Sequence, residues 1–168
     1  EPEYARMRPD QTIFTYLHLA ASRPCTDALL SSRTTSIAYE TVQLPDGSLP
    51  LLAPMSEVAG RLAPQVGSYH LMRSKGGRGV LMGGVPGTAP AKVTVIGGGV
   101  SGINAAQIAA GMGADVTVFD LDVRKMRAVN AQFGGRVHTS YSTSLALEEA
   151  VVESDLVIGA VLIPGAAA

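Results

Sequence analysis

Six residues, Gly97-Gly98-Gly99-Val100-Ser101-Gly102, carry the clearest chemical signal in the chain. They satisfy G-x-G-x-x-G, a pattern that is weak alone because glycines also mark ordinary turns. Its setting gives it meaning. Val93-Thr94-Val95-Ile96 reads as a buried strand just before it, an alanine-rich helix over Val100 to Met112 follows, and Val116-Thr117-Val118-Phe119 reads as a second strand ending in Asp120. In that setting Gly97 permits a tight turn, Gly99 lets the backbone approach a pyrophosphate, and Gly102 lets the helix pack close to the strand. The amides of Val100 and Ser101, at the helix start, then face phosphate oxygens. Asp120 sits where a carboxylate accepts from ribose hydroxyls. Its charge repels a 2′-phosphate, so NAD is expected rather than NADP; the alternative is a plain turn aspartate ahead of a helix. Lys125 either reaches the adenosine ribose or is a solvated helix residue.

The remaining chemistry is sparse. Cys25 is the one cysteine, so neither an internal disulfide nor a cysteine metal site can be built, and no metal is expected. Cys25 reads as a small buried apolar residue. His70 and His138 read as surface or packing residues, and a lone histidine after a strand, such as His18, reads by itself as structural. Net charge is −1 and the basic residues Arg73, Lys75 and Arg78 are broken up by glycines, which gives a solvated loop and no footprint for nucleic acid. No apolar run approaches the roughly 20 residues of a bilayer span, so no membrane partner is expected. The acidic opening Glu1-Pro2-Glu3-Tyr4 lacks signal-peptide character, and the cysteine usage fits a reducing compartment.

The elements that must position these residues fall into two sets. In the first, Thr12 to Leu17 reads as a strand with His18 at its end, Ser22 to Ser31 as a helix with Asp27 favouring its first turn, and Thr35 to Val42 as a strand. Pro45-Asp46-Gly47 marks a turn. Ser56 is expected to cap a helix running to about Arg73, kinked or divided at Pro64, with Leu62, Val66, Tyr69, Leu71 and Met72 as its apolar face. A glycine-rich stretch, Gly76 to Gly87, follows as a loop or hinge. The second set adds, to the elements around the glycine motif, a helix over Val123 to Phe133, a short strand Arg136 to His138, a helix capped by Ser142 or Thr143 and ending at Glu153, and a fourth strand Leu156 to Val161. Strand–helix alternation of this kind implies parallel sheets with right-handed crossovers. The expected fold is α/β: a partial Rossmann-type parallel sheet preceded by part of a second α/β domain.

Long strings of the sequence resemble the NAD-dependent alanine dehydrogenase family. They are Phe14-Thr15-Tyr16-Leu17-His18-Leu19-Ala20, Thr34 to Val42, Leu51 to Arg61 and Gly76 to Gly87. The likeness covers nearly the whole chain. It implies residues 1–55 as part of a substrate domain, 56–73 as an interdomain helix and 74–168 as the first part of the NAD-binding domain. It implies His18 as the catalytic histidine, a group suited to proton transfer near neutral pH. It also implies that Ser56 contacts NAD from the interdomain helix, a role compatible with capping. Ser142 falls at the adenine end, and Val161 and Leu162, at the end of the fourth strand, lie near the nicotinamide.

The resemblance further implies oxidative deamination of L-alanine to pyruvate and ammonium in a homo-oligomer, typically a hexamer. The family's substrate-binding Arg and Lys would precede Glu1, and an Asp and an Asn would follow Ala168. The chain starts without Met and stops just after a strand-like run, at a tail Pro164–Ala168 less basic than the family pattern. It is therefore read as an interior fragment, inactive and poorly folding alone because both sheets expose unpaired edges. Two competing expectations stand beside this one. The chain could be the NAD-binding α subunit of a proton-translocating nicotinamide nucleotide transhydrogenase, or a non-catalytic dinucleotide-binding module.

Overall fold

A computed structural model describes residues 2–162; the Pro164–Ala168 tail lies outside them. The chain divides into two compact units, the first ending at Pro54 and the second beginning at Met55.

In the first unit, β1 (Thr12–Thr15) and β2 (Thr35–Ala38) pair in parallel, in register from Thr12–Thr35 to Thr15–Ala38. Helix α1 (Arg23–Ser32) makes the crossover. Ser22 caps it, accepting from the Cys25 amide, and Pro24 suits its first turn. Asp27 lies beyond that turn, where it pairs with Arg23 at 2.8 Å in an i,i+4 bridge. Both strands are shorter than expected. β2 gives way at Tyr39 to a 3-10 turn over Tyr39–Thr41, and β1 stops three residues before His18. The turn at Pro45–Gly47 forms as expected, with Gly47 at φ +83°. Cys25 is half-buried rather than buried.

Helix α2 (Ala53–Leu71) starts two residues before the second unit and is continuous through Pro64. The Pro64 ring is fully buried, and the helix runs on without the one backbone hydrogen bond that a proline removes. Of the large apolar face expected for this helix, Leu71 alone is buried. Leu62, Val66, Tyr69 and Met72 are exposed, whereas Gly60, Pro64 and Leu71 are buried. Small residues at this spacing let the helix approach its neighbours closely. A Cβ at Gly60 would collide with the carbonyl of Ser101, and one at Gly67 with the side chain of Leu156. The basic stretch is likewise less free than expected. Arg78 pairs with the buried carboxylate of Asp155, and the Lys75 ammonium lies 4.9 Å from the centre of the Tyr69 ring.

Four strands form the main sheet: β3 (Lys92–Ile96), β4 (Asp115–Asp120), β5 (Val137–Tyr141) and β6 (Leu156–Gly159), in the order β5-β4-β3-β6 and all parallel. Helices α3 (Val100–Gly111), α4 (Val123–Phe133) and α5 (Ser144–Glu153) are the crossovers. α4 is bounded as sequence chemistry requires, by an Asp122 side chain capping the Arg124 amide and by Gly134 in the left-handed region. Thr143, rather than Ser142, caps α5. Val93, Val95, Val116, Val118, Val129 and Val137 are essentially inaccessible and form the centre of the core. Burying each such side chain stabilises the fold by about 1.5–3 kcal/mol.

Candidate dinucleotide and proton-transfer sites

The sheet order places a topological switch at β3, with β4 on one side and β6 on the other. Ligands of open parallel sheets bind beyond the carboxyl ends of the strands at such a point. Gly97 follows β3 there. Its φ of +104° lies where side chains rarely go, and an added Cβ would meet the Ala160 carbonyl oxygen at 2.6 Å. Its amide donates to the Phe119 carbonyl at 2.7 Å. Gly102 is buried in the first turn of α3, where a Cβ would collide with the Gly97 carbonyl. Gly99 is different: nothing lies within 4 Å of where its Cβ would be. The chain is thus tight at the two outer glycines and open at the middle one.

Gly99 is the N-cap of α3 and supplies no side chain to cap it. The first amides of a helix have no acceptor within it and carry its positive end, so an anion at this opening is favoured. The Ser101 hydroxyl turns away, donating to the Ser56 carbonyl at 3.0 Å and tying α3 to α2. Ser56 itself is the fourth residue of α2, not its cap, because the helix already starts at Ala53. Beside this junction Arg61 donates to Asn104 at 2.9 Å, a bridge not anticipated from sequence.

Asp120, at the end of β4, is buried and turned to the glycine turn. One carboxylate oxygen accepts from the Gly98 amide at 2.6 Å and the other from the Asp122 amide at 2.7 Å. Lys125 Nζ stands 3.6 Å from the first of these oxygens, so its half-exposed side chain is an ion-pair partner of Asp120 rather than a free solvated cation. A carboxylate has about four acceptor positions, and capacity for a sugar hydroxyl remains. Ser142 follows β5, with its amide donating to the Asp120 carbonyl at 3.1 Å. Val161 and Leu162 lie past the end of β6, which stops at Gly159, and both are exposed. Val161 is nevertheless beside Gly97, its Cγ2 3.1 Å from where a Cβ there would be. Gly97, Gly99, Val100, Asp120, Ser142 and Val161 therefore lie at or just beyond the carboxyl edge of one sheet. The open space at Gly99, the uncapped helix start and the acceptor at Asp120 fit a dinucleotide.

His18 belongs to the first unit. It is exposed and adopts φ +45°, ψ +49°, a conformation unusual for a residue with a side chain. Its ring stacks on Tyr16 with centroids 5.6 Å apart and planes 10° from parallel. Its amide donates to Glu40 Oε1 at 2.8 Å, and the Leu17 amide donates to the same carboxylate at 3.2 Å. Partial burial alone raises the Glu40 pKa. The amides of His18, of Glu40 itself and of Leu17, with the charge of the His18 ring, outweigh it, so the carboxyl lies below the ordinary glutamate range. Glu40 carried no signal in the sequence beyond a place in a strand that turns out to end before it.

Among the described residues no group of three or more His, Cys, Asp or Glu could hold a metal ion, and no helix is long and apolar enough to cross a membrane. His138 and His70 are both exposed, His138 standing 3.8 Å from Asp115.

Comparison with known proteins agrees with the geometry. Residues 1–59 match the family model described as alanine dehydrogenase/PNT, N-terminal domain, and residues 63–168 the corresponding C-terminal domain. The alanine dehydrogenase of Mycolicibacterium smegmatis is 74% identical over 168 residues, covering 100% of this chain and 45% of that protein. The chain thus spans a little under half the length of the curated relatives it matches. A solved L-alanine dehydrogenase superposes with a TM-score of 0.86 at 54% identity, over 99% of this chain and 46% of that one. A transhydrogenase from Sinorhizobium meliloti shares the fold at a TM-score of 0.71 and 23% identity, over 99% of this chain and 48% of its own.

Proposed function

The chain belongs to the alanine dehydrogenase/PNT family, and from that premise we propose that it is part of an L-alanine dehydrogenase. The reaction is L-alanine, NAD+ and water to pyruvate, ammonium, NADH and a proton, and it is reversible. The observation that carries the substrate assignment is the likeness along the whole chain to an alanine dehydrogenase. The meeting of the glycine turn with the Asp120 carboxylate supports NAD.

NAD, when bound, supplies the acceptor for the hydride leaving the alanine Cα. Gly97, Gly99 and Gly102 shape the turn, and the Val100 and Ser101 amides hold the pyrophosphate. Asp120 accepts from the adenosine ribose hydroxyls and disfavours a 2′-phosphate. Lys125 stands at that ribose edge, and Ser142 borders the adenine. Val161 and Leu162 border the nicotinamide side, and Ser56 contacts the cofactor from α2. His18 moves protons at the substrate amino and carbonyl groups. In this reading residues 1–55 belong to the substrate domain, 56–73 to the interdomain helix and 74–168 to the NAD-binding domain. The enzyme is a cytoplasmic homohexamer in L-alanine catabolism.

The test is expression of the reading frame that encodes this chain, followed by assay with L-alanine and NAD. Alanine-dependent NADH formation is expected, with NADP a poor substitute. Retained NAD binding without turnover would leave only a dinucleotide-binding module. Hydride exchange between nicotinamide nucleotides in a membrane complex, without alanine oxidation, would assign the transhydrogenase role.

A further inference from the structure

The parallel ladder of the first unit ends at the pair Thr15–Ala38, and from there the two chains need other partners for their backbone groups. Beyond β1 the amides of Leu17 and His18 point to one acceptor, the carboxylate of Glu40, two residues past the last paired residue of β2. Leu17 donates to both oxygens, at 3.2 and 3.3 Å, and His18 to Oε1 at 2.8 Å. Hydrogen bonds to an ionised acceptor are about twice as strong as neutral ones. His18 takes a left-handed backbone conformation that a side chain opposes, and such strain persists only where surrounding contacts over-determine it. Two charged hydrogen bonds on consecutive amides, followed by a 3-10 turn in which the His18 carbonyl accepts from Ala21, are contacts of that kind. The 3-10 turn over Tyr39–Thr41, which shortened the expected strand, also sets Glu40 where its carboxylate spans back to β1.

We propose that Glu40 is the positioning residue for His18, its carboxylate clamping the Leu17 and His18 amides so that the imidazole leaves the strand end in a fixed direction, stacked on Tyr16. This rests on the reading of His18 as the proton-transfer group. Glu40 acts through the backbone rather than by exchanging protons with substrate. Displacement of a catalytic group by about 1 Å costs on the order of 10²-fold in rate, and that is the size of effect the clamp protects.

The test uses the full-length protein carrying Glu40→Ala and Glu40→Gln, with amide exchange at Leu17 and His18 alongside kinetics. Glutamine keeps one oxygen at the position that now serves both amides. Glu40→Ala is expected to lower kcat on the order of 10²-fold while KM for alanine and for NAD stays within about threefold, and to expose both amides to exchange. Glu40→Gln is expected to restore most of kcat and of the protection. Unchanged kcat in Glu40→Ala, or a loss in Glu40→Gln as deep as in Glu40→Ala, would overturn the proposal. If Glu40→Ala does not fold, the wild-type exchange and the glutamine variant decide: amides unprotected in wild type overturn it. If the wild type lacks alanine-dependent turnover, the functional reading fails, and the exchange data still report on the clamp.

Discussion

At the scale of single residues, the glycines of the turn are three different constraints written with one letter. Gly97 needs a positive φ, Gly102 needs the absence of a Cβ against a carbonyl, and Gly99 faces open space. Substitution separates these roles. Gly102→Ala forces the helix start away from the strand and is expected to destabilise the second unit by about 1–3 kcal/mol, as overpacking does, and to abolish NAD binding. Gly99→Ala meets nothing in the protein itself. Its melting temperature is expected to stay near wild type while the Kd for NAD rises at least tenfold, because in the proposed function the methyl would stand where the pyrophosphate approaches. Thermal melts and titration with NAD read both effects. Equal loss of stability in the two variants would refute the distinction. The motif was legible in the sequence because backbone geometry restricts such positions to glycine. The difference between the middle glycine and its neighbours was not, because it depends on what the other strands bring near.

Secondary-structure elements show where local chemistry decides and where packing does. Helix α4 keeps the Val123–Phe133 bounds expected of it, because Asp122 and Gly134 are local signals. Ser56 misled because serine favours caps, yet Ala53 and Pro54 begin the helix earlier and leave Ser56 inside it. The strand expected over Thr35 to Val42 breaks at Tyr39, where Glu40 turns back to the Leu17 and His18 amides, a tertiary event with no local mark. The apolar face expected of α2 is buried at Leu71 alone, for a related reason. Large apolar residues draw the eye, but this helix buries Gly60, Pro64 and Leu71 and leaves Leu62 and Val66 exposed. Gly60 is what allows the Ser56 carbonyl to sit within reach of the Ser101 hydroxyl at the start of α3. Gly60→Ala raises intrinsic helix propensity, by up to about 1 kcal/mol, so a purely local view expects stabilisation. The collision with the Ser101 carbonyl predicts the reverse. A drop in melting temperature with weakened NAD binding is expected, and a gain in stability would show that α2 and α3 are not held together at this point.

For the molecule as a whole, the two units differ in what holds them. The buried apolar core runs from Leu71 to Ile158 and lies in the second unit, whereas Leu29 is the only buried hydrophobic residue described in the first. The first unit therefore leans more on polar contacts, among them Thr34 donating to the Arg8 carbonyl at 2.9 Å and the Glu40 carboxylate on its two amides. Glu40 titrates below the ordinary glutamate value in the folded chain. A depressed carboxyl pKa contributes stability that is present above the unfolded value and is lost as pH falls through the folded one. In the second unit the side-chain hydrogen bond from Arg124 lowers Asp122 and that from Lys92 lowers Glu153. Both pairs are solvent-screened and stand outside a large core, so their loss weighs little there. Lys92, raised by Glu153, contributes below its unfolded pKa and loses that contribution only in strong alkali. Acidification from about pH 7 to about pH 3, through the ordinary carboxyl range, should thus release β1, β2 and the turn at Glu40 before the main sheet. Amide-exchange protection followed across that range measures it. Glu40→Gln cannot titrate and should flatten the acid response of the first unit. Loss of protection in β3 and β4 ahead of β1 and β2 would mean that the core, rather than the carboxylate clamp, governs the acid stability of this chain.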